Sequence, residues 1–149
     1  MSKKLSLYVG APLERLLAER QSDMQQPTTL LNAIADRYLQ IIWRNIPDLT
    51  AAEWSLVFDA LNGIVTWDSA QMLASLYAHV EDAIRRDRLS EKWRVDGPAL
   101  IQKLRTLSYC EAVTLADVAE RFWARFGDQP VAIAEALQQL GVTPVETAV

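Results

Sequence analysis

The sequence predicts a mainly α chain, with one strand at the amino terminus and about seven helices after it. Three observations carry this. Only "KKLSLYVG", residues 3–10, alternates polar and apolar with the period of two that a strand needs. Beyond it, apolar residues recur at spacings of three and four, the signature of one helix face. Glycine (5) and proline (6) are scarce and fall mostly between these stripes, as punctuation.

In the strand, Lys4, Ser6 and Tyr8 share one side and Leu5, Leu7 and Val9 the other. Gly10 and Ala11 turn the chain, and Pro12 suits the first turn of a helix. That helix, "PLERLLAERQ", stripes Leu13, Leu16 and Leu17. "SDMQQP" breaks it. A longer helix, "PTTLLNAIADRYLQIIWRN", carries Leu30, Leu31, Ile34, Tyr38, Ile41 and Ile42, and Pro47 stops the chain beyond it.

Thr50 and Glu53 form a T-x-x-E capping box for "AAEWSLVFDALNG", with Trp54, Val57, Phe58 and Leu61 inward. Asp68 or Ser69 can cap "AQMLASLYAHVEDAIRRDR", whose tail sets Glu81 against Arg85 and Asp82 against Arg86. Asp96 caps "ALIQKLRTL". Ser108 and Glu111 form a second capping box, opening "EAVTLADVAERFWARFG". Pro130 opens "VAIAEALQQLG", and residues 142–149 read as a loose tail. The change of charge sign and Pro47 place a domain boundary after residue 46, giving 1–46 and 47–149.

The chain has 149 residues, half of them hydrophobic, enough for a sizeable core. One cysteine, Cys110, leaves no internal disulfide and fits a reducing, cytoplasmic setting. No stretch reads as a signal peptide, and no apolar run approaches the length of a membrane span. The net charge is −4, but it is uneven. Residues 1–44 hold six basic and four acidic residues, and the rest nine basic and fifteen acidic. The amino-terminal part is therefore the one suited to an anionic partner.

A lone strand leaves a row of unpaired N–H and C=O groups. "GIVTW" or "VTPV" can supply an internal partner, though both are short. The same strand from a second copy is the better one, because it buries Leu5, Leu7 and Val9 and displays Lys4, Ser6 and Tyr8 twice.

The run strand, helix, loop, helix in residues 3–44 resembles the ribbon-helix-helix family of DNA-binding proteins. "KLSLYVGAPLERLLAERQ" and "PTTLLNAIADRYLQII" carry the resemblance. It implies a homodimer whose intermolecular two-stranded ribbon enters the major groove of double-stranded DNA. Lys4, Ser6 and Tyr8 would meet base edges, Lys3 a phosphate, and Thr28 and Thr29 a phosphate at a helix start. Leu5, Leu7, Val9, Leu31, Ile34 and Tyr38 would form the dimer core. The loop lacks the family's frequent glycine, and Gln26 stands where a better cap is usual.

Little else points to chemistry. His79 and Cys110 are single, no metal-ligand spacing occurs, and neither phosphate-binding glycine motif is present. No catalytic residue, metal or cofactor is expected. Asp117 and Glu120 read as a solvated face. The five tryptophans read first as core, and "RFWARF" is the richest candidate for a partner surface. "DALNG", "EKWRVDG" and "ERFW" resemble segments of bacterial proteins, which implies a bacterial source and no activity.

The sequence thus predicts a cytoplasmic, homodimeric DNA-binding protein, a transcriptional regulator or an accessory protein of mobile DNA. Residues 50–140 would form a helical domain for oligomerisation or a protein partner. The alternatives are an antitoxin that binds its toxin through those helices, and a dimeric adaptor that does not bind DNA.

Overall fold

A computed structural model describes residues 10–20, 26–62, 72–127 and 129–146. The chain divides into two compact units, Met1–Gln40 and Ile41–Val149.

The described residues of the first unit are helical. α1 (Ala11–Arg20) starts where Gly10 O accepts from Glu14 N–H at 2.9 Å. Leu13, Leu16 and Leu17 are only half-buried, and no residue of α1 is fully covered. α2 (Pro27–Arg44) begins in this unit, and Leu30 is its buried residue there.

The expected amino-terminal ribbon is not seen. Among the described residues there is no strand, and the fold is all-α. The alternating stretch 3–9 lies outside the described residues, and with it Leu5, Leu7 and Val9. "VTPV" pairs elsewhere: Val145 N–H donates to Leu49 O at 3.0 Å, in an isolated parallel bridge with Thr50. Alternation over a few residues identifies two faces but names no partner, and a strand persists only with a ladder to bond.

The second unit is built around α3 (Ala51–Ala60). Glu53 through Phe58 are six consecutive buried residues, the mark of a helix covered all round. Thr50 caps it as expected: its Oγ1 accepts from Glu53 N–H, and Glu53 Oε1 accepts from Thr50 N–H. α4 (Met72–Arg86), α5 (Leu89–Trp93), α7 (Tyr109–Phe126) and α8 (Ile133–Leu140) all pack on α3, and α6 (Gly97–Arg105) packs on α4.

Trp54, Phe58, Leu76, Leu100, Leu104, Leu115 and Leu137 are almost completely buried in one core. Each such side chain contributes about 1.5–3 kcal/mol of transfer free energy. Glu81 joins α4 to Arg105 of α6 and also lies 3.8 Å from Arg85, its expected helical partner.

Three local expectations need correction. α5 carries no sequence signal at either end: Arg88 stands at its amino-terminal cap, where Ser, Thr, Asp or Asn is usual, and Arg94 at its carboxyl-terminal cap, where glycine is usual, both in left-handed backbone at φ 53° and 55°. α8 opens at Ile133 with Ala132 at its cap, so Pro130 and Val131 stay outside the helix. The carboxyl-terminal residues are docked as far as Val145, with Val142 buried against the core. Arg121 and Arg125 of α7 donate to Leu140 O and Gln139 O, carbonyls that the end of α8 leaves without helical partners. Among the described residues no helix is long and apolar enough to cross a membrane.

Candidate functional site

A concavity with a largely aromatic wall lies in the second unit, where α3, α5, α7 and the α7–α8 connection meet. It is a groove of about 400 Å³, in the range of small-ligand and side-chain sites. Helical spacing puts Ser55, Phe58 and Asp59 of α3 on its wall. α5 supplies Lys92 and Trp93, and α7 supplies Phe122 and Trp123. Gly127 ends α7 at φ 55° and ψ −132°, backbone that only glycine adopts readily, and turns the chain so that Pro130 and Val131 close the rim.

The aromatic wall is fixed by specific contacts. Phe58 and Phe122 stack at 4.2 Å between centroids, 9° from parallel. Trp123 stands edge-on to Phe122 at 5.2 Å. Its Nε1 donates to Phe58 O at 2.8 Å. Phe58 O is near the end of α3, where Asn62 N–H turns to Asp59 O instead, so the indole takes a carbonyl the helix leaves over.

Asp59 is the polar feature of the groove. Its Oδ2 accepts from Lys92 Nζ at 2.7 Å and from Trp93 Nε1 at 3.1 Å. Lys92 Nζ also sits 5.1 Å from the centre of the Trp93 ring, over its face. An ammonium is therefore held between a carboxylate and an indole, at the edge of an apolar wall. The Lys92 side chain is 58% exposed and that of Asp59 27%, so the cation is the more accessible partner and the anion the more covered one.

The residues expected at the DNA contact belong to the first unit. Lys3, Lys4, Ser6 and Tyr8 lie outside the described residues. Thr28 and Thr29 are exposed on the first turn of α2. Of the residues expected in a dimer core, Leu31 and Ile34 are half-buried, and Tyr38 is 43% exposed.

Among the tryptophans, Trp54 is core, Trp43 is exposed, Trp67 is outside the described residues, and Trp93 and Trp123 line the groove. "RFWARF" was the signal available in sequence. Asp59 and Lys92 gave none, being ordinary surface residue types far apart in the chain.

Cys110 is half-buried in the first turn of α7, and its carbonyl accepts from the Thr114 hydroxyl at 2.8 Å. His79 is exposed on α4. No group of three or more acidic, histidine or cysteine side chains is placed to hold a metal among the described residues. Asp117 and Glu120 are half-buried rather than solvated: Asp117 accepts from Arg121 Nε at 2.9 Å, and burial, then the Asp117 charge, push the Glu120 carboxyl up.

Compared with protein-family models, curated proteins and solved structures, the chain matches none.

Proposed function

We propose that the second unit is a binding module that docks an apolar segment of a partner protein in the groove between α3, α5 and α7. One observation carries this: four aromatic rings and an anchored carboxylate line one open concavity of side-chain size. Aromatic anchors and the pockets that receive them dominate the energetics of protein interfaces. Among the described residues, Ser55 Oγ on the groove wall donates to Ala51 O at 3.0 Å and Asp59 is engaged by Lys92 and Trp93, so binding describes the groove better than catalysis.

The test is titration of the isotope-labelled full-length protein with two probes, indole-3-acetamide and 4-methylpentanamide. These reproduce the side chains of tryptophan and leucine. Docking is supported if the indole N–H signals of Trp93 and Trp123 and the amide of Gly127 shift together and saturably. Shifts scattered over the surface, or none, defeat it.

DNA contact through the amino-terminal unit is a second reading, supported by one observation. Thr28 and Thr29 stand exposed on the first turn of an 18-residue helix, where backbone N–H groups and the helix dipole favour a phosphate. Selection from random duplexes, followed by binding at increasing salt, decides it. An affinity falling linearly on a log–log plot supports it, and no selection above background rejects it.

A further inference from the structure

Resting on the docking reading above, we infer that the segment received by the groove carries an arginine beside its apolar anchor, and that the guanidinium takes the place Lys92 holds between Asp59 and Trp93. The groove already shows what it stabilises. The Lys92 ammonium lies 2.7 Å from Asp59 Oδ2 and over the Trp93 face. It belongs to a largely exposed side chain, and exposed pairs of this kind are weak and easily exchanged.

Asp59, by contrast, is positioned from below by Trp93 Nε1 and is mostly covered. An incoming cation meets an anion already in place and competes with an exposed ammonium.

Arginine fits better than lysine for three reasons. Its planar fork can give two parallel N–H bonds to one carboxylate, where an ammonium acts as a point charge. Its flat face stacks on an indole. It is also more weakly hydrated, so leaving water for the groove edge costs less.

The wider field agrees in sign. Residues 41–149 hold ten basic and fifteen acidic residues, so this unit attracts a basic segment. An acidic partner would meet like charge both at Asp59 and over the unit as a whole. The groove volume takes about one or two large side chains, which places the anchor directly beside the arginine.

The experiment is panning of a random peptide library on the full-length protein and three variants, Asp59→Asn, Lys92→Met and Val131→Gln, each first checked for an unchanged circular dichroism spectrum. The expected result is enrichment of peptides pairing an aromatic or leucine residue with an adjacent arginine. Their affinity should fall roughly tenfold on Asp59→Asn, the loss of one charge-assisted contact. It should rise on Lys92→Met, which removes the competing cation, and fall on Val131→Gln, which puts an amide into the apolar wall.

Enriched peptides without arginine, insensitive to Asp59→Asn but weakened by Val131→Gln, would overturn the arginine and leave the docking reading standing. Enrichment indifferent to all three variants, or none above a bare surface, would remove both.

Discussion

Glu53 of α3 and Lys103 of α6 meet at 2.8 Å, and the same Glu53 Oε1 closes the capping box on Thr50 N–H at 2.9 Å. One carboxylate oxygen thus starts the central helix and ties it to another element. Glu53→Ala should lose both contacts and destabilise by about 1–3 kcal/mol, the sum of a cap and a partly covered ion pair. Lys103→Met should cost less, because the cap survives. Urea midpoints of the two single variants and the double variant measure this. A coupling energy of zero would mean that the ion pair contributes nothing.

Trp54 is completely buried, yet its Nε1 has no hydrogen-bond partner among the described residues. An unpaired buried donor costs free energy, so its loss offsets part of the cavity left by a smaller ring. Trp54→Phe should therefore cost under about 1.5 kcal/mol, against about 3–5 kcal/mol for Trp54→Ala. Equal losses would show that the indole N–H is satisfied in solution.

Gly97 begins α6 against α4, and a Cβ placed there would lie 2.9 Å from Ile84 Cγ2. Gly97→Ala should destabilise by about 1–3 kcal/mol through overpacking, despite alanine's better helix propensity. A thermal midpoint at or above that of the unaltered protein would mean that Ile84 gives way freely.

Arg94 ends α5 in left-handed backbone at φ 55° and ψ 47°. A non-glycine residue in that conformation costs about 1–2 kcal/mol, against which glycine loses some unfolded-state entropy. Arg94→Gly should raise stability by about 0.5–1 kcal/mol, read from denaturation midpoints. A loss of stability would assign the Arg94 side chain a contact worth more than the strain.

Glu120 is half-buried beside Asp117, and burial first, then that charge, hold its carboxyl above the ordinary glutamate range. A raised folded-state value means that the folded protein holds the proton more tightly than the unfolded chain. This favours folding at acid pH, and the benefit is lost as pH rises through the raised value. Glu120→Gln should accordingly be more stable than the unaltered protein at neutral pH, with the gap closing below the ordinary glutamate range. A gap constant across that range would refute the assignment.

The legible parts of the sequence were those written locally. Thr50 with Glu53, Ser108 with Glu111, and Asp96 each fix a helix start within four residues, and all three caps are in place. α5 escaped because left-handed arginines bound it, and no residue type announces that conformation as glycine does. The site escaped for a different reason. Its wall joins Phe58 and Asp59 to Lys92, Trp93 and Trp123, and only tertiary packing brings these together. "RFWARF" hinted at one side of it, while the carboxylate that gives the groove its polarity looked like any surface aspartate. The ribbon illustrates the opposite failure: an alternating pattern was clear, but pairing is a property of two segments and cannot be read from one.

The bridge from Val145 to Leu49 sets an order on synthesis. The residue that receives the carboxyl-terminal segment lies just before α3, and the residue that delivers it is made after all the helices described. Until residue 145 has left the ribosomal tunnel, Leu49 O, just before α3, goes without this bond. Such sequence-distant closures are slow in entropic terms, and they leave apolar surface exposed in the interval. For this chain the vulnerable interval is thus the one between formation of the central helix and the docking of residues 142–145.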